Sequence, residues 1–302
     1  MNLLSEDKIA RFREAATTGD LPTLLREDYL DILLSAYGTV PQPLLGLCYQ
    51  VTSDNPSETY RGLKHLQDID SEIPEGSEYP EIIVGEKSTV TITNRKYGAI
   101  IAVTEEMIRY SKLAEMTRIG ASAGEMLGRV VEKKIAAAIE DTSNTTASGS
   151  TLTLSRANLE TVVNAFRIQT ATAADGTTIK LGLTADTLLV PPSLEYDATR
   201  ILNSTLIPGS ANNDVNVMKG ALNIMVAPYL TSTSLWYVLK SNWANGLVIQ
   251  KVIGPPPELS QQEVKGNQQP DSTFRYDKIS YKARMLFGVG VIDAKFCIRS
   301  TT

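Results

Sequence analysis

The chain has 302 residues, enough to bury a sizeable core in one or two lobes, and its 42% hydrophobic and 21% charged content excludes wholesale disorder. A formal net charge of −5 argues against unaided wrapping of DNA or RNA, which depends on clustered cations displacing counterions from phosphate. The first residues lack the basic-then-apolar pattern of a secretion signal, and no stretch stays apolar for the roughly 20 residues of a spanning helix, so no membrane partner is expected.

In chain order, two short amphipathic helices are predicted over residues 6–16 and 25–37, the second ended by Gly38, Pro41 and Pro43. They read as an arm and not as part of a core. A polar run over 52–59 leads into an acid-rich segment reaching Gly85 that has too few large apolar residues to build a core of its own. Residues 60–66 and 86–103 are predicted as strands of a long hairpin, Val90 and Ile92 alternating with Thr89, Thr91 and Thr93. An isolated hairpin is marginal in water, and ordering each residue costs about 1 to 2 kcal/mol, so the expected dock is another chain.

Thr104 is positioned to cap a helix that runs to about Asp141, with Glu105 and Glu106 where the helix dipole favours negative charge. Its apolar stripe includes Ile108, Leu113, Met126, Leu127, Val130, Ile135 and Ile139, with a break near Tyr110 and Ser111. On the order of 50 Å long at about 1.5 Å per residue, it reads as a strut. A Ser/Thr-rich boundary over 142–150 opens a second lobe of mixed elements. There Ser155 caps a helix to Gln169, residues 187–190 form a buried strand stopped by Pro191 and Pro192, and residues 193–202 are helical. Strands follow over 222–227, 235–239 and 247–252, before a proline-rich linker over 254–271 that closes this lobe. The end is read as strands over 274–286 and 289–298, bent at Gly288 and Gly290 and returning to the first lobe.

Chemistry-bearing patterns are sparse. His65 is the only histidine, which leaves no His-based triad and no multi-histidine zinc site, and it sits in the poorly cored hairpin. No phosphate-loop pattern occurs. The pairs Glu105/Glu106 and Glu140/Asp141 are adjacent on a helix and point apart, so the first reads as dipole compensation and the second as a frayed helix end. Arg118, Arg129, Lys133 and Lys134, interspersed with Glu115, Glu125 and Glu132, read as a solvated helix face. Cys48 and Cys297 have no metal or redox spacing and read as two reduced thiols, with a disulfide between them left open. No catalytic, cofactor-binding or metal-binding residue is assigned, and the expectation is a protein that is not an enzyme.

The ordered features resemble major capsid proteins of tailed phages with the Hong Kong 97-type capsid fold. The resemblance is carried by the run Asn94-Arg-Lys-Tyr-Gly-Ala-Ile-Ile-Ala-Val-Thr-Glu-Glu-Met-Ile into the long helix, by Thr187-Leu-Leu-Val-Pro-Pro-Ser-Leu-Glu-Tyr-Asp-Ala, by Lys219-Gly-Ala-Leu-Asn-Ile-Met-Val-Ala-Pro and by the stretch from Tyr276 to Asp293. It implies an α+β fold with an N-terminal arm over 1–55, an extended E-loop hairpin over 56–98, a P-domain with spine helix over 99–150, an A-domain over 151–270 and closing strands over 271–302 that return to the P-domain. It further implies a structural subunit assembling with copies of itself into pentamers and hexamers of an icosahedral virion shell in the host cytoplasm. The implied partners are a portal, a scaffold and a decoration protein, and double-stranded DNA is enclosed without sequence-specific binding. A family lock made by a Lys-Asn isopeptide bond is not carried over: Lys64 and Lys87 lie in the hairpin region without Asn and Glu counterparts. The alternatives are an encapsulin-like nanocompartment shell and, from another class, a His-independent enzyme or a monomeric binding domain.

Overall fold

The computed structural model describes residues 21–63, 72–79, 81, 85–104, 106–107, 113–151, 153–207, 214–261 and 278–301. Its elements, in order, are α1 (Leu21–Thr39), β1 (Tyr49–Thr52), β2 (Ser57–Leu63), β3 (Glu86–Thr93), β4 (Arg95–Thr104), α2 (Leu113–Glu140), β5 (Thr146–Thr151), α3 (Arg156–Arg167), β6 (Thr170–Thr172), β7 (Thr178–Lys180), β8 (Thr187–Val190), α4 (Glu195–Asn203), β9 (Asn223–Val226), β10 (Tyr237–Leu239), β11 (Leu247–Gln261), β12 (Lys278–Val291) and β13 (Cys297–Thr301). Two sheets organise them, one in the order β1-β11-β12-β4 and the other β5-β13-β10-β8-β9, with the pairs β2-β3 and β6-β7 standing apart.

α2 lies against the first sheet because Leu127, Val131, Ile135 and Ile139 recur every four residues and are fully buried. Its 28 residues span about 42 Å. Thr104 does act as a cap, its hydroxyl accepting from the Met107 N–H at 3.3 Å, while the expected break near Tyr110 and Ser111 falls outside the described residues. The second lobe follows its predicted order. Ser155 accepts from the Asn158 N–H at the start of α3, which buries Leu159, Val162, Val163 and Phe166. Pro191 and Pro192 end β8 and lead through a 3-10 turn into α4.

The two cores meet at β8 and β10. Along these strands Leu188, Val190, Trp236 and Val238 face the core under α3 and α4, while Leu189, Tyr237 and Leu239 face the core under α2. Period-two alternation thus places each strand between two apolar layers, which is why both read as continuous buried runs.

Four expectations are corrected. The helix predicted over 25–37 is present as α1, but it is core and not a loose arm: Leu33 and Leu44 are fully buried and Tyr37 nearly so against α2. Glycine makes the approach possible, since a Cβ at Gly124 would stand 2.3 Å from the Leu33 carbonyl oxygen. The first predicted helix, over 6–16, lies outside the described residues. Second, the strand expected to stop at 252 continues as β11 to Gln261 and belongs to the first sheet, so no linker begins at Gly254. Its prolines fall where the ladder to β12 skips from Ile253/Leu286 to Glu258/Arg284, a bulge that needs no donor from them.

Third, Gly288 and Gly290 do not bend the chain: β12 runs through both. They are there for close approach, because a Cβ at Gly290 would lie 2.7 Å from Ile92 Cγ1 and one at Gly288 would lie 2.8 Å from the Thr93 carbonyl oxygen. Fourth, the final strand, β13, does not return to the first sheet but pairs with β10 and β5 in the second. The turn over 292–296, with Asp293 capping its 3-10 helix and Phe296 buried, redirects the chain.

Candidate assembly surfaces

No cluster of three or more His, Cys, Asp or Glu side chains able to hold a metal occurs among the described residues. His65, Lys64 and Glu105 lie outside the described residues, and Glu106 is exposed. Cys48 and Cys297 are free thiols, both buried, and burial pushes each well above the usual thiol range. Two regions leave side chains exposed, and a third fastens α2 to the rest of the chain.

The first is the β2-β3 hairpin. Its base is fastened to the first sheet by buried Ile92, which covers Gly288 and Gly290, and by Gln250 Nε2, which donates to the Tyr60 hydroxyl at 2.7 Å, while Asn94 Nδ2 ties the two ends of the hairpin by donating to the Asn55 carbonyl at 2.7 Å. Between the Ile92 and Tyr60 anchors Thr59 and Thr91 pair across the strands at 3.1 Å with both side chains exposed, and residues 74–79 and Glu81 are exposed. The base therefore docks on its own chain, contrary to the expectation of a hairpin held only by another.

The second is a projection from α4 to β9. Leu206 and Val215 form an isolated antiparallel bridge, and the Ile207 N–H donates to the Asp214 carbonyl at 2.9 Å. Buried Asn216 clamps the base: its Nδ2 reaches the carbonyls of Ile201 at 2.6 Å and Ser204 at 3.0 Å, and its Oδ1 accepts from the Met218 N–H at 3.1 Å. The clamp holds out Val215 and Val217, 70% and 74% exposed. Exposed valines on a fixed loop are what a partner surface would cover.

The third is the junction of α2 with the rest of the chain. Glu132, read from sequence as part of a solvated face, is instead fully buried and accepts from the N–H groups of Leu44 and Leu45, each at 3.2 Å. Burial pushes its carboxyl up to about 7 from an ordinary 4.5, with the two N–H bonds opposing. Glu140 and Asp141 are bonded and not frayed: Glu140 Oε1 accepts from the N–H groups of Thr231 and Ser232, and Asp141 caps the turn at Ser143. Only the long-range contact with Leu44 and Leu45 identifies the role of Glu132. Arg129 pairs with Glu125 at 3.3 Å, while Lys133 and Lys134 stand over the rings of Tyr229 and Tyr97. Arg118 and Glu115 are exposed, as expected of a solvated face.

The family described as phage capsid protein matches residues 87–300. No curated protein matches the sequence. Among solved structures, the virus-like particle from Pyrococcus furiosus is similar over 91% of this chain and 98% of its own, at 13% identity and a TM-score of 0.56. A protein of Mycobacterium phage Adephagia is similar over 86% and 89%, at 13% identity and a TM-score of 0.53. The capsid of the cyanophage P-SCSP1u is similar over 84% and 86%, at 12% identity and a TM-score of 0.53. At such identities the structures share a mixed α+β fold, and the family match favours a phage shell over an encapsulin-like compartment. The chain belongs to the phage capsid protein family: it is a major capsid protein, a structural subunit of the virion shell and not an enzyme.

Proposed function

We propose that the chain closes an icosahedral shell from pentamers and hexamers in the manner of the Hong Kong 97-type fold. In this reading the first sheet with α2 is the P-domain and its spine helix, β2-β3 is the E-loop, and the second sheet with α3 and α4 is the A-domain. The projection bearing Val215 and Val217 meets its copies at the symmetry axes, and α1 packs into the core of the P-domain. The domain limits 1–55, 56–98, 99–150, 151–270 and 271–302 are kept as the family's order, with β11 and β13 exchanged between the two sheets as described above.

The observation that carries the reading is the hairpin, a pair of strands seated at its base and exposed at its far end. Such a pair is marginal without further cover, and a neighbouring subunit supplies it. Each standard protein contact buries about 1,600 Å², and a closed shell gives every subunit several, so moderate pairwise affinity suffices. The net charge of −5 suits a wall that encloses DNA without adhering to it. Portal, scaffold and decoration proteins complete the proposed partners, with assembly in the host cytoplasm.

Negative-stain microscopy and sedimentation of the purified chain test this reading. Shells of megadalton mass support it, and a stable species at the 32.9 kDa of one chain refutes it. Replacing residues 64–85 with a short glycine-rich turn should leave a folded, soluble subunit that no longer forms shells. Normal shells from that variant would remove the hairpin from the mechanism.

A further inference from the structure

Polar side chains gather where the end of α2 meets the second sheet. Tyr237 of β10 and Arg299 of β13 are direct strand partners. Tyr237 faces the core under α2, and a direct partner points to the same side of the sheet, so Arg299 does too. Thr145 immediately precedes β5, whose Thr146 and Ala147 pair with Ile298 and Arg299. Thr145 has extended backbone, so alternation turns its side chain to the α2 side as well, opposite to Ile298 in the other core. The turn that carries it folds back on the helix, Asn144 Nδ2 donating to the Ala138 carbonyl at 2.9 Å. Glu140, the last residue of α2, is held by the N–H groups of Thr231 and Ser232.

Three polar atoms of this group are buried and meet no hydrogen-bond partner among the described residues: Tyr237 Oη, Thr145 Oγ1 and Arg299 Nε. Tyr237 is fully buried and Thr145 is 6% exposed. Burial pushes the Tyr237 phenol well above its usual range, with Glu140 and Cys297 acting the same way and Arg299 opposing, which puts all three near the hydroxyl. A donor-only nitrogen beside two hydroxyls that donate or accept suits a ligand able to do both. Arg299 opposes a cation there, while Glu140 and the negative end of the α2 dipole oppose an anion. We infer that Tyr237, Thr145 and Arg299 form a hydration site, where one water molecule accepts from Arg299 Nε and joins the two hydroxyls. About three partners is the usual number for a buried water. The site fastens the turn after α2 to β10 and β13, and so ties the helix of the first lobe to the sheet of the second.

A double-mutant cycle on the full chain tests it, read as the folding equilibrium constant from urea unfolding. Tyr237→Phe and Thr145→Val each leave the shared water one partner short and should lower that constant about tenfold. The double variant should stand close to the single ones, well short of the roughly hundredfold loss that independent sites give, because both changes act through the same water. Hydroxyls that meet nothing would be relieved by either change, and the constant would rise. A rise, or a simple product of the two single effects, overturns the site. A high-resolution density map of the unaltered protein gives a measure that does not depend on any variant folding. A rounded peak about 2.7 to 3.2 Å from all three atoms supports the site. No such peak, or a direct bond between the Tyr237 hydroxyl and Glu140, overturns it.

Discussion

Two segments before β4 invite the same reading as extensions, yet the structure treats them differently. α1 and the turn after it enter the main core, with Leu33 and Leu44 fully buried, Gly124 admitting the helix backbone and Glu132 binding the turn. Among the described residues, the hairpin reaches the first sheet through Ile92, Asn94 and Tyr60. The difference is one of donated partners. α2 offers α1 a glycine face and the turn after it a buried carboxylate, whereas the sheet offers the hairpin two glycines and one glutamine. Stability of the subunit should therefore depend on the first segment, and assembly on the second.

The largest effect is expected from Leu33→Ala, which would empty a fully buried site between α1 and α2. A loss of about 2 to 5 kcal/mol follows for such a truncation, read as an earlier midpoint in urea unfolding of the isolated subunit. If α1 is instead a loose arm, the midpoint stays within error of the parent. Glu132 gives a pH-dependent version of the same test. Its carboxyl titrates near 7 in the folded chain and near 4.5 when unfolded, so the folded state holds a proton across that window and the unfolded state does not. The contribution is fully present below about 4.5 and lost as pH rises through 7, on the order of 3 kcal/mol in total. Glu132→Gln keeps one acceptor but faces the other N–H with a donor. It should flatten the change in stability between about pH 5 and pH 8, and an unaltered pH slope would show that the carboxyl titrates normally.

Much of this could be read without coordinates. Strong period-two and period-four patterns, a Ser cap and a double proline marked β3, α2, α3 and the β8-to-α4 turn, because in each the local preference and the tertiary environment agree. What was not legible depended on partners distant in sequence. Gly288 and Gly290 look like a bend until Ile92 is seen above them, and Gly124 looks like a weak point in a helix until Leu33 packs on it. Pro255 to Pro257 look like the end of a strand until the bulge opposite β12 excuses their missing donors. The assembly surfaces were partly visible, since an acid-rich segment without a core is a compositional fact.

At the hairpin, Gly290→Val places a branched side chain where even a Cβ would stand 2.7 Å from Ile92 Cγ1. Overpacking of this kind costs about 1 to 3 kcal/mol, and here the strain can be relieved by lifting the hairpin base. Faster amide exchange in residues 86–93 with little change in α2 is the expected signature. A uniform loss of protection across both would mean that the hairpin base and the core unfold as one unit. Tyr60→Phe is the gentlest probe of the same joint, because it removes only the hydroxyl that receives the Gln250 amide. Gln250 is fully buried, so its amide loses a partner that water cannot replace without opening the joint, for a cost of about 1 kcal/mol. That cost should fall on the opening equilibrium of the hairpin, raising exchange in residues 57–61 about fivefold while the urea midpoint of the core hardly moves. A shifted midpoint with unchanged local exchange would place the Tyr60 bond in the core's cooperative unit and erase the distinction between the two segments.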